Sequence, residues 1–132
     1  MTAGYQHTIH FSLAEAQTLL PDVIAQLTEM QELKRQVDAK GYDMRRHRYF
    51  GGMGPNGRYP YPQELEKLVS IYEDLSSLGV VLKDIDRGLV DFPFLRENGE
   101  EVYLCYLLGE QTITHWHRIE DGFAGRRSVD DL

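Results

Sequence analysis

The sequence predicts an α+β fold, a long antiparallel helix hairpin packed on a small antiparallel sheet of about three strands. Residues 12–40 and 62–78 repeat apolar side chains three and four apart, the spacing of one helical face. After Gly79 the spacing shortens to alternation, in β-branched and aromatic runs broken by turn sequences. At 132 residues the chain reads as a single domain, 1–132. A domain of that size buries roughly two-thirds of its unfolded surface, so its core needs no covalent staple.

The first helix opens on "FSLAEAQ", where Ser12 and Glu15 have capping-box spacing and Phe11 and Ala16 can form a hydrophobic staple. Leu20, Val23, Leu27, Met30, Leu33 and Val37 then line one stripe. Pro21 falls inside the pattern and is expected to kink the helix or restart it a turn later. At ~1.5 Å per residue the helix would reach roughly 40 Å. In the second helix Pro62 suits the first turn and Gly79 the position past the end, with Leu65, Leu68, Val69, Tyr72, Leu75 and Leu78 facing the core. It is about half as long as the first. Part of the first stripe therefore lacks an intrachain cover, and a homo-oligomer is expected to supply one.

Between the helices, residues 41–61 form a 21-residue loop with five glycines and five aromatic residues. Arg45, Arg46, Arg48 and Arg58 against Asp43 give it a local charge of +3, on a chain of net charge −7. Arginine interleaved with tyrosine suits an anionic ligand or a protein partner. The plainer alternative is a mobile tip used in self-association. No phosphate loop, dinucleotide fingerprint or zinc-knuckle spacing occurs.

Residues 80–120 read as a β-meander and 121–132 as a carboxy-terminal tail. Asn98-Gly99 suits a hairpin turn. In "VYLCYLL" Val102, Leu104, Tyr106 and Leu108 alternate with Tyr103, Cys105 and Leu107. Both sets are apolar, which predicts cover on both sides of the strand. In "TITHWHRI" the alternation puts His115 and His117 on one face, with Trp116 and Arg118 on the other.

The acidic balance argues against general nucleic-acid binding, which needs lysine and arginine in excess on at least one face. A single cysteine excludes an intramolecular disulfide and suits the cytoplasm. No apolar run approaches the ~20 residues of a membrane span, and the first residues lack a signal-peptide pattern, so neither membrane insertion nor secretion is expected.

"HWHRIEDGFAGR" carries the densest chemistry. His115 and His117, two apart on a strand, can share a divalent metal (Zn, Fe or Mn) with Glu110 or Glu120 as carboxylate ligand. Without metal the same groups can serve as acid and base. The plainer alternative is a hydrogen-bonded His117 in the sheet, a core Trp116 and a surface His115. Arg126 and Arg127 follow two glycines and can clamp a carboxylate or phosphate, or neutralise Glu110 or Glu120. Upstream, "KDIDRGLVDFP" offers Asp84, Asp86 and Asp91 as further carboxylates, although such a run is more often turn chemistry around Asp86 and Gly88. Cys105, among leucines and tyrosines, reads as a small buried hydrophobe rather than a nucleophile.

"FSLAEAQTLLPDV", "LGVVLKDIDRGLVDFP", "VYLCYLLGE" and "WHRIEDGFAGR", in this order, resemble the family known as domain of unknown function 2203, over nearly the whole chain from Phe11. The resemblance implies a small soluble bacterial protein with a helical amino-terminal half and a motif-rich carboxy-terminal half. The family pattern falls on Lys83, Asp84, Gly88, Asp91, Phe92, Pro93, Tyr103, Leu104, Cys105, Gly109, Glu110, Trp116, His117, Gly122, Phe123 and Arg126. His115 departs from it, which shifts weight to His117 with Glu110 and an aspartate.

Two functions of different class follow. One is a homo-oligomeric assembly or binding protein with a structural polar cluster around His117. The other is a metal-dependent or acid-base enzyme that uses His117 with Glu110 or Glu120, and Arg126 as an anion clamp. The first is favoured because no complete catalytic set can be read from the spacings. Convergence of His117, Glu110 and an aspartate on an open cavity would favour the second.

Overall fold

Ser12 begins the first helix by reciprocal capping, its hydroxyl accepting from the Glu15 N–H at 3.0 Å while the Glu15 carboxylate accepts from the Ser12 N–H at 2.8 Å. In the computed structural model, which describes residues 4–52 and 61–132, helix α1 then spans Leu13–Ala39. It runs through Pro21 without a break, so the expected restart does not occur. Two short 3-10 turns, Met44–Arg46 and Arg48–Phe50, follow. Arg58, Tyr59 and the rest of 53–60 in the basic loop lie outside the described residues. Helix α2 spans Gln63–Leu78 and ends at Gly79, whose φ of +96° closes the last turn in the left-handed region.

Five antiparallel strands follow: β1 (Val81–Asp84), β2 (Leu89–Leu95), β3 (Glu101–Leu107), β4 (His115–Arg118) and β5 (Arg127–Ser128), lying side by side in sequence order. The predicted architecture is corrected on two points. The helical part is one long and one short helix rather than a long helix hairpin, 27 residues against 16. The sheet has five strands rather than about three. The additional strands are its edges, the four residues "VLKD" after α2 and two residues in the tail, too short to show an alternating pattern.

The α1 stripe is buried along its whole length within one chain. Ala16, Leu20, Val23, Leu27, Met30 and Leu33 pack with Leu68 and Leu75 of α2 and with Val90, Phe92, Val102, Leu104, Tyr106 and Trp116 of the sheet. Val37, nearer the far end, packs with Leu65 and Val69, sided by Tyr42, Met44 and Phe50. The sheet and the 3-10 turns thus cover what a short second helix cannot. The bare overhang from which a second copy was expected is absent among the described residues.

The opposite face of the sheet is the one that matters for chemistry. It carries Asp91, Tyr103, Cys105, His115 and His117, by the two-residue alternation of their strands. Residues 5–11 wrap onto it as a strap. The Glu101 carboxylate accepts from the Gln6 N–H at 2.8 Å, the His7 N–H at 3.1 Å and His10 Nε2 at 2.7 Å. His7 Nε2 meets the Tyr103 hydroxyl at 2.6 Å, and the Phe11 N–H donates to the Pro93 carbonyl at 2.8 Å. No helix among the described residues is long and apolar enough to cross a membrane.

Candidate functional site

The turn between β2 and β3 determines who meets whom. Gly99 adopts a φ of +89°, and the chain reverses so that Leu95 opposes Glu101. Counting back along both strands puts Asp91 opposite Cys105. On the far side of β3, Cys105 opposes His115 and Tyr103 opposes His117. Asp91 and His117 are therefore on different rows of the sheet, separated by β3.

Their side chains close that gap. His117 Nε2 lies 3.1 Å from both Asp91 carboxylate oxygens, and its Nδ1 lies 2.7 Å from the Arg118 carbonyl oxygen. A carbonyl can only accept, so Nδ1 donates; with Asp91 ionised its carboxylate also only accepts, and the ring is then an imidazolium. Burial by itself disfavours that charge. The Asp91 hydrogen bond, the Arg118 carbonyl and the Asp91 charge outweigh burial, and the net effect raises the His117 pKa.

Cys105 completes the group. One ligand atom from each of Asp91, Cys105 and His117 can be chosen so that all lie within 4.8 Å of one another, the one such cluster among the described residues. Relative exposures are 1%, 0% and 3%. Burial first, then the neighbouring Asp91 charge, pushes the Cys105 thiol up to about 12. Cys105 is thus a neutral thiol bonded towards a carboxylate, the reverse of what an activated nucleophile requires. Tyr103 packs edge-on against both His7 and His117, with ring centroids 5.3 and 5.5 Å away, and the Lys83 ammonium stands 4.8 Å from its ring. The clefts beside Tyr72, Lys34 and Phe94 include none of Asp91, Cys105 or His117.

A second polar group lies one step along the same face. Glu110 Oε1 accepts from the Leu107 N–H and from Arg126 Nη2, both at 2.7 Å. His115 Nδ1 is 3.7 Å from Glu110 Oε2 and 2.8 Å from the Thr114 hydroxyl. Arg126 Nη2 also reaches the Cys105 carbonyl at 3.4 Å, which ties the two groups together.

The structure therefore divides the residues the sequence singled out. His117 joins Asp91, while Glu110 joins His115 and Arg126. Glu120 is exposed in the turn after β4 and makes no side-chain hydrogen bond or ion pair among the described residues. Asp86 is exposed in the β1–β2 turn and pairs with Lys34 at 3.1 Å. Arg127, on edge strand β5, lies over the Trp116 ring at 5.6 Å. His115 and His117 share a face but serve different carboxylates. Each capped group meets a backbone, arginine or carboxylate partner. Cys105 is the member that sequence reasoning set aside. Counting outward from a two-residue Asn98-Gly99 turn pairs Cys105 with Phe92; the observed turn is one residue longer, Leu95 opposing Glu101, and that shift brings Cys105 opposite Asp91.

A family model described as "Uncharacterized conserved protein (DUF2203)" matches residues 10–129. No curated protein and no solved structure is matched.

Proposed function

The chain belongs to the DUF2203 family, and for this member of it we propose a metal-binding protein that holds a zinc or ferrous ion between Asp91, Cys105 and His117. The observation that carries the proposal is the convergence of three different ligand types from three adjacent strands within 4.8 Å. A sheet holds such a constellation rigidly, since each ligand is fixed by ladder hydrogen bonds on both sides of β3.

The donor set selects the metal. Imidazole and carboxylate accept many divalent ions, whereas a thiolate favours the softer zinc and iron over manganese, magnesium or calcium. Three protein ligands leave a tetrahedral ion one further position. Charge balance also supports the exchange. Imidazolium, carboxylate and thiol sum to zero, and so do a divalent ion, neutral imidazole, carboxylate and thiolate. Uptake of one ion releases the His117 Nε2 proton and the Cys105 thiol proton, and leaves no net charge buried.

Cobalt(II) substitution tests the reading. The wild-type protein is expected to show a thiolate-to-cobalt charge-transfer band in the near ultraviolet, absent from Cys105→Ala. Wild-type protein that takes up no cobalt, or that gives the same spectrum as Cys105→Ala, would contradict it.

One observation favours a second reading, a metal-free structural clamp within a binding protein. Both His117 nitrogens and both Asp91 oxygens are already partnered at hydrogen-bond distance. The same cobalt experiment separates the two.

A further inference from the structure

The strongest unassigned feature lies beside the metal-ligand cluster, where two guanidinium groups share one aromatic ring. The Arg87 guanidinium carbon is 4.6 Å from the Phe123 ring centroid and that of Arg126 is 4.8 Å from it. Both charges therefore stand within about one screening length of each other, ~8–10 Å at ordinary salt. Arg126 has Glu110 as its counter-ion. Arg87 has no carboxylate partner among the described residues, its backbone N–H alone bonding to Asp84 Oδ1 at 3.1 Å. One positive charge is left over at this spot on a chain whose total is −7.

Local structure holds the pair in place. The 3-10 turn Phe123–Gly125 folds back against β4, and Gly125 makes that close return possible. A Cβ at Gly125 would stand 2.4 Å from the Asp121 Cβ. On the other side, the β1–β2 turn carrying Arg87 is fixed by the Leu108 N–H, which donates to the Gly88 carbonyl at 3.0 Å. Among the described residues Arg126 makes all its side-chain hydrogen bonds through Nη2, to both Glu110 oxygens and to the Cys105 carbonyl. Its Nε is buried with no partner. A buried N–H without an acceptor is rare and costly, and here it belongs to a group built for bidentate oxyanion recognition.

We infer that Arg87 and Arg126, seated on Phe123, form a binding site for the oxyanion group of a small ligand, a phosphate or a carboxylate. Arg126 supplies its Nη1, which makes no hydrogen bond among the described residues and is not buried, and Arg87 supplies the uncompensated charge. The Phe123 ring centroid lies 4.6 and 4.8 Å from the two guanidinium carbons, and the Arg87 guanidinium and Arg126 Nη1 make no hydrogen bond among the described residues. The site is distinct from the ligand set of Asp91, Cys105 and His117, and does not depend on a metal there.

Titration calorimetry with inorganic phosphate and, separately, acetate tests the inference, on protein as purified and after chelator treatment. Arg87→Ala removes an exposed side chain and leaves the turn's backbone bonds intact. It is expected to weaken anion binding at least tenfold without moving the melting temperature. Arg126→Lys keeps the charge but loses the fork, and is expected to weaken binding similarly. Arg35→Ala, an exposed change on α1, should leave binding as in wild type. Tighter binding of phosphate than acetate assigns a phosphorylated ligand, and the reverse assigns a carboxylate. Absence of binding by both anions, or binding that Arg87→Ala leaves within twofold of wild type, overturns the site. The outcome is read without reference to metal content, so failure here and failure of the metal site are separate results.

Discussion

Asp91 on β2 and His117 on β4 share no backbone ladder, yet the carboxylate and the imidazolium meet over β3 at 3.1 Å. That single contact ties three strands on the face away from the helices. Both groups are nearly out of reach of solvent, so the pair must be treated as a unit: what stabilises each charge is the other.

Removing one partner should therefore be costly. His117→Ala and Asp91→Asn are each expected to lose about 3–5 kcal/mol in chemical denaturation of metal-free protein, because an unpaired buried charge remains. The double variant should lose much less than the sum. Additive losses would show that the two side chains do not act together.

The pair also sets an alkaline limit. Its folded His117 pKa is raised above the ordinary value of 6.5. The stabilisation is complete below that value and is lost as pH rises through the folded pKa. Metal-free wild-type protein should lose melting temperature as pH rises above about 6.5, while His117→Gln shows a flatter profile. Parallel profiles would contradict the charged pair.

At the opposite end of the scale, Glu101 is held below the usual carboxylate range. Burial pushes its pKa up, but His10 and the Gln6 and His7 N–H groups outweigh burial. The strap's stabilisation is present above the unfolded carboxylate pKa of ~4.3 and is lost as pH falls through the folded one. Amide exchange at Gln6 and His7 should quicken in Glu101→Ala at neutral pH, and in wild type only in acid beyond the intrinsic pH trend. Unchanged protection in Glu101→Ala would show that Glu101 does not anchor the strap.

Much of this arrangement was legible in the sequence where a pattern spans many residues. The Ser12–Glu15 cap, the α1 stripe from Leu20 to Val37 and the shared face of His115 and His117 all follow from spacing alone. What failed was long-range pairing. Glu110 is close to His117 in sequence, but Arg126 and the Leu107 N–H hold it elsewhere, and Asp91 reaches His117 across 26 positions. Edge strands β1 and β5 are too short to announce themselves. The expectation of an uncovered α1 assumed that only α2 could cover it, whereas Val90, Phe92, Leu104 and Trp116 do so from the sheet.

Cys105 offers a chemical check on burial. With its thiol pushed up to about 12, only about one molecule in ten thousand is thiolate at pH 8. Alkylation by iodoacetamide should be at least a hundredfold slower in native, metal-free protein than in denaturant. Equal rates would show that the cluster is open to solvent.

The most direct measurement is the metal content of untagged protein purified without chelators, expressed per chain, beside folded Cys105→Ala and His117→Gln. Close to one zinc or iron per wild-type chain, lost in both variants, is the expected result. Wild-type protein without metal, or metal that persists unchanged in both variants, would contradict the assignment of Asp91, Cys105 and His117 as its ligands.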